Sequence, residues 1–152
     1  MKRREFLAAS AGCACWVLAQ PGLAGTKAPV TATVGPIKIG DLRSFTKEGI
    51  DIRFLTHGFV LIRGKDRIYA LSAFCTHQPT ERLGGRAGGE RLICPSHGSQ
   101  FALDGSVIRG PARRNLARFA ITADDQGQVT VDTSKSIPPD KAGDPAAFVK
   151  VG

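Results

Sequence analysis

The chain alternates short apolar runs with turn formers, and almost nowhere sustains the spacing of an amphipathic helix. Residues 37–39, 50–55, 59–62 and 68–71 are apolar or alternating, separated by turns such as His57-Gly58 and Gly64-Lys65-Asp66. Further runs are residues 91–93, 116–121 and 129–131, the last two joined by Asp124-Asp125-Gln126-Gly127. Runs of this length, bounded by Gly, Asp and Asn-type residues, predict strands, and their regular spacing predicts a small antiparallel barrel or sandwich. From Thr133 onward Pro138-Pro139 and Pro145 break the pattern, so residues 133–152 are expected to be a tail that forms neither a continuous helix nor a central strand. Its Phe148 and Val149 offer an apolar foot that could drape over the domain or dock on a partner.

The first residues differ in kind. Lys2-Arg3-Arg4-Glu5-Phe6-Leu7 precedes an apolar stretch at 8–19, the charged and hydrophobic regions of a secretory signal. The Arg3-Arg4 pair followed by Phe6-Leu7 is similar to a twin-arginine export signal. A membrane span needs about 20 apolar residues, and Gln20-Pro21-Gly22 interrupts this stretch, so a cleaved signal is expected, with the mature chain starting near Gln20 or Gly25. Ser10-Ala11-Gly12-Cys13 lacks the aliphatic start of a lipoprotein box. The expected organisation is a signal at 1–24, one domain at 25–132 and the tail at 133–152, because about 130 residues make a single core. The formal net charge of +8 includes basic residues of the signal, and the rest are dispersed among acidic ones. Without a basic stripe carrying interleaved aromatics, nucleic acid is excluded as a partner, and an acidic protein surface fits the charge better.

The chemistry lies in two clusters, Cys75-Thr76-His77 and Cys94-Pro95-Ser96-His97, with sixteen residues between them. Each pairs a thiolate with an imidazole too closely for both to face one way along a helix, whereas a tight loop aims both at one centre. Two Cys and two His satisfy tetrahedral zinc. They also satisfy a [2Fe-2S] cluster in which the thiolates hold one iron and the imidazoles the other. Zinc fingers group Cys with Cys and His with His; the order here is Cys, His, Cys, His, with glycine and proline around both pairs. Cys13 and Cys15 fall in the signal, which leaves Cys75 and Cys94 as the thiols of the mature chain. A disulfide-free exported protein is unusual, and metal occupancy of both thiols accounts for it.

The run Cys94-Pro95-Ser96-His97-Gly98-Ser99, the first cluster Cys75-Thr76-His77 and the later Gly110-Pro111-Ala112 together resemble the Rieske iron-sulfur proteins over roughly residues 67–132. The resemblance implies an all-β fold, an antiparallel β-sandwich with a small cluster-binding subdomain at about 73–112. It implies one [2Fe-2S] cluster held by Cys75, His77, Cys94 and His97. It makes Ser99 the family serine whose hydroxyl donates to a bridging sulfide, and Gly110-Pro111-Ala112 the proline loop that covers the cluster from a third side. In high-potential members two further cysteines join the loops, at positions held here by Thr80 and Ser96, and a tyrosine donor stands where this chain has Phe101. Donors to a cluster raise its potential by stabilising the reduced, more negative state, so the expected potential lies mid-range between about −150 and +300 mV.

Such a cluster has no open coordination position, so the implied function is one-electron transfer without a substrate site of the chain's own. The resemblance extends to the small subunit of arsenite oxidase and, less closely, to the Rieske subunit of cytochrome bc complexes. The implied partner is a larger redox subunit, a molybdenum oxidoreductase or a cytochrome, or a cytochrome c, in the periplasm, with membrane association only if the signal is retained. The bc reading calls for an anchor, a tyrosine at 101 and the loop disulfide. A ferredoxin of an aromatic-ring dioxygenase shares the missing disulfide, but it is cytoplasmic and would not carry Arg3-Arg4. His57 reads as a turn residue, and Gly84, Gly85, Gly88 and Gly89 as turn glycines that fold the chain back toward Cys94. Arg82, Arg86 and Arg91 are candidates for a docking face beside the cluster.

Overall fold

The computed structural model describes residues 34–85 and 89–151. The expected signal, Arg86 and Gly88 lie outside them. The described residues form ten strands: β1 (Pro36–Asp41), β2 (Gly49–Asp51), β3 (Phe59–Arg63), β4 (Arg67–Ser72), β5 (Arg91–Ile93), β6 (Gln100–Ala102), β7 (Val107–Arg109), β8 (Arg118–Ala123), β9 (Gln128–Ile137) and β10 (Val149–Lys150). Among the described residues the only helical segments are 3-10 turns, so the fold is all-β as expected. Seven strands make one antiparallel sheet in the order β1-β9-β8-β4-β3-β2, with β10 added to β4. The other three, β5-β6-β7, make a small separate sheet.

The continuous apolar runs of β3 and β4 exist because both faces of those strands are buried. Side chains alternate across a strand, and here Val60, Ile62, Tyr69 and Leu71 enter one core while Phe59, Leu61, Ile68 and Ala70 enter another. The second core is internal to the large sheet and adds Ile39, Phe45, Ile121, Val129 and Val131. The first is shared with the small sheet through Leu92 and Phe101, and it contains Cys75 and Cys94. Each fully buried Phe, Leu or Ile contributes about 1.5–3 kcal/mol of transfer free energy. The two sheets are also joined by the Tyr69 hydroxyl, which donates to the Leu103 carbonyl at 3.0 Å.

Two expectations change, and one of the two open readings of the tail is met. The run at 50–55 is a strand only to Asp51. The Asp51 carboxylate accepts the Arg53 backbone N–H at 3.0 Å and the Arg53 guanidinium at 2.6 Å, and the chain then turns into the 3-10 segment Leu55–His57. The tail does not begin at Thr133, because β9 runs on to Ile137, with Ser136 and Ile137 pairing Phe119 and Arg118 past a bulge. Proline ends the strand one residue later. Finally, the tail drapes over the domain. Ala147 is buried, Phe148 packs on the first core beneath the Arg67 guanidinium, and Val149 pairs with Ile68. Arg118, buried and 4.0 Å over the Tyr69 ring, fastens it by donating to the Ala142 carbonyl at 3.1 Å.

Candidate metal centre

Three loops meet at one end of the small sheet. The first leaves β4 and closes as a narrow hairpin, with Leu83 N–H bonded to the Ala73 carbonyl, Cys75 N–H to the Glu81 carbonyl, both at 2.8 Å, and a turn from Gln78 to Glu81. This ladder turns Cys75 into the core, 1% exposed, and leaves His77 exposed near the tip. The second loop connects β5 to β6. Leu92 and Phe101 pair across these strands and are fully buried, which anchors Cys94 just inside the surface. Cys94 N–H donates to the Ser99 carbonyl at 2.8 Å and Gly98 N–H to the Cys94 carbonyl at 2.9 Å, so the turn closes on itself and His97 stands outside it. The bases of the two loops are joined by reciprocal bonds between Gly84 and Ile93, at 2.7 and 2.8 Å. This is the folding back toward Cys94 that the turn glycines predict.

The third loop follows β7. Ala112 N–H donates to the buried Ser99 hydroxyl oxygen at 3.2 Å, and the Arg114 carbonyl accepts the Thr76 hydroxyl at 2.6 Å. Gly110 has φ +106°, and a Cβ there would stand 2.6 Å from Ser99 Cα. Only glycine lets this loop press against the second one. Gly110 and Pro111 are exposed, while Ala112 is 3% exposed and belongs to the first core.

The four candidate ligands fall into two unlike pairs. Cys75 and Cys94 are free thiols in one buried cluster, within hydrogen-bonding reach of each other. The rings of His77 and His97 lie 5.0 Å apart at 83° and are open to solvent. Burial pushes the Cys75 thiol up, but the His77 and Gln78 amides and the Cys94 and Ser99 side chains outweigh it, so its net shift is downward. A site that favours thiolate is what metal ligation requires. Among the described residues no three His, Cys, Asp or Glu side chains gather as the cage of one ion would. A sulfur pair and a separate imidazole pair fit the two irons of a [2Fe-2S] cluster.

Ser99 is fully buried and turned to the Cys75 sulfur. Phe101 is fully buried beneath it in the first core, a packing residue without a donor. His57 takes no part: it ends the 3-10 turn before β3, facing Phe59 at 6.4 Å. Arg82 is drawn away from a docking face, lying 5.7 Å over Phe74 and donating to the Thr56 carbonyl at 3.4 Å. Arg91 is exposed and bonds Gln100 across the small sheet at 3.2 Å. Sequence reasoning missed Thr76 and Glu81 as parts of the site. Thr76 stood inside the motif, and Glu81 carried no signal until the fold brought the second loop to it.

This is the architecture of an iron-sulfur electron-transfer domain. The chain belongs to the Rieske [2Fe-2S] domain family, whose model matches residues 36–120. It is similar to the cytochrome b6-f complex iron-sulfur subunit of Synechococcus sp. (strain JA-3-3Ab), 43% identical over 65 residues that make up 43% of this chain and 37% of the relative. It is also similar to the cytochrome b6-f complex iron-sulfur subunit 2 of Synechocystis sp. (strain ATCC 27184 / PCC 6803 / Kazusa), 34% identical over 77 residues, 49% of this chain and 42% of the relative. The chain thus spans less than half the length of these relatives. Among solved structures, one of a complex of reduced oxygenase and oxidized ferredoxin in carbazole 1,9a-dioxygenase shares the fold, with a TM-score of 0.50 at 23% identity over 68% of this chain and 97% of that one. Membership gives the domain one [2Fe-2S] cluster and the function of one-electron transfer.

Proposed function

We propose that Cys75 and Cys94 hold the inner iron of the cluster and His77 and His97 the outer one, and that electrons cross the protein surface at the two imidazoles. The observation that carries this is the division of the site into a buried sulfur pair and an exposed imidazole pair. When bound, the cluster supplies a one-electron couple. The chain's own residues orient and shield it: the first-core side chains exclude water from the sulfurs, the buried Ser99 hydroxyl stands beside Cys75, and the loop of Gly110 and Pro111 covers the second loop. Buried hydrogen bonding and solvent exclusion around the ligands are levers on the potential.

The physiological setting we infer is the periplasm, reached folded by the twin-arginine route, with the chain serving as an electron carrier or small subunit of a larger oxidoreductase of the arsenite-oxidase kind. The absent loop disulfide and Phe101 in place of tyrosine support it over a quinol-oxidising subunit. A second reading, a subunit of a cytochrome bc-type complex, draws support from the cytochrome b6-f names of the relatives. Among the described residues no helix is long and apolar enough to cross a membrane.

Isolation of the native assembly in mild detergent decides between the two readings: molybdopterin in it supports the first, b-type haem the second. Changing Arg3 and Arg4 together to Lys should leave the holoprotein in the cytoplasm, and normal export of that variant would end the twin-arginine reading. In a reductive titration the purified chain should take up one electron and then reduce a soluble cytochrome c. A chain that takes up none is not the carrier described.

A further inference from the structure

The three loops around the candidate ligands are tied pairwise by side chains. Thr76 binds the first loop to the Arg114 carbonyl of the third, and the Ser99 hydroxyl binds the second to the Ala112 N–H of the third. The remaining pair is closed by the Ser96 hydroxyl donating to the Glu81 carboxylate. The first two ties end on the main chain, while this one joins two side chains and carries a charge. It also sits where reinforcement counts. The bases of the first and second loops are already held together by the Gly84–Ile93 bonds, whereas Glu81 and Ser96 lie farther out, in the loops that present His77 and His97. The two described cysteines are both free thiols, so no covalent link does this work among the described residues. A carboxylate acceptor makes a hydrogen bond shorter and stronger than a neutral one.

We infer that the Glu81–Ser96 hydrogen bond is the latch that holds the two ligand-bearing loops at their mutual distance, and that the negative charge of Glu81 lowers the potential of the cluster they hold. This rests on the ligand assignment proposed above. Glu81 and Ser96 are positioning residues: neither is a ligand, and they act through the loops that carry His77 and His97. The charge acts in one direction, because a reduced cluster is the more negative state and a neighbouring carboxylate opposes it.

The test uses the full-length chain as wild type, Ser96→Ala, Glu81→Ala, the double variant and Glu81→Gln. Cluster loss is followed by visible absorption in excess chelator, and the midpoint potential by protein-film voltammetry. Each alanine variant should lose its cluster about three- to tenfold faster than wild type, the range of one net hydrogen bond. The double variant should be no faster than Glu81→Ala, because the Ser96 hydroxyl acts through Glu81. Glu81→Gln keeps an acceptor for Ser96 and removes the charge, so it should hold the cluster about as long as wild type while its potential rises. Unchanged loss rates, or single effects that multiply in the double variant, overturn the latch. An unmoved potential in Glu81→Gln overturns the role of the charge. A wild-type chain without acid-labile sulfide overturns the ligand assignment and this inference with it, whereas a cluster-bearing wild type with indifferent variants overturns the latch alone.

Discussion

The large sheet and the small one are ordered by different means. In the large sheet β3 and β4 bury side chains on both faces, neighbouring strands pair over several residues, and the second core closes without any candidate ligand. The strands of the small sheet are three residues each, and each sends one side chain inward, Leu92, Phe101 or Val107. The rest of its order comes from bonds between loops and from two cysteines whose thiols are part of the core. Three-residue strands around a few inward side chains are marginal alone. The difference teaches that the base is a scaffold folded by its own apolar surface, whereas the cluster subdomain is ordered largely by contacts between its loops.

The largest effect that separates the two regions should come from Cys75→Ser. Iron and acid-labile sulfide should fall to background while amide hydrogen exchange in β3 and β4 stays protected; loss of protection throughout would mean that the scaffold depends on the cluster. Phe59→Ala attacks the other region. Phe59 is fully buried in the second core and stacks on Phe54 at 5.3 Å, so its truncation should cost about 3–5 kcal/mol. Thermal unfolding should report this, with the visible spectrum of the folded fraction unchanged.

Gly110→Ala tests the contact between the second and third loops. With a positive φ and a Cβ 2.6 Å from Ser99 Cα, it should cost about 2–4 kcal/mol. The strain is local, so cluster loss in chelator should accelerate more than global unfolding does. The smallest effect is Ser99→Ala, which removes the proposed hydroxyl donor beside Cys75 without touching the fold of the base. Its potential should fall by at most about 130 mV, the equivalent of a charge-assisted bond of about 3 kcal/mol in a one-electron couple. An unchanged value in voltammetry would show that the hydroxyl acts on Ala112 alone.

The same contrast governs what was legible in advance. The runs at 59–62 and 68–71 are unbroken apolar stretches because two cores claim alternate residues, and they read at once as strands. The candidate ligands were legible because their spacing is chemical rather than conformational. The three residues of β6 follow directly on Ser99 and give too short a run to register, although Phe101 is among the most buried residues. The run at 50–55 misled because its apolar count hides an Asp51–Arg53 contact that turns the chain. The continuation of β9 past Thr133 and the docking of Phe148 depend on partners far away in the chain, β8 and β4, which local pattern does not encode. Glu81 and Ser96 meet for the same reason, fifteen positions apart and joined only by the fold.

The central claim is that one cluster is held by a sulfur pair on one iron and an imidazole pair on the other. Pulsed electron-nuclear double resonance on the reduced protein, grown with 15N-histidine, tests it most directly. The account predicts two inequivalent nitrogen couplings from directly bound imidazoles, reduced to one or lost with the cluster in His77→Ala and in His97→Ala. A paramagnetic cluster without histidine couplings, or a protein that holds one zinc and no acid-labile sulfide, would contradict it.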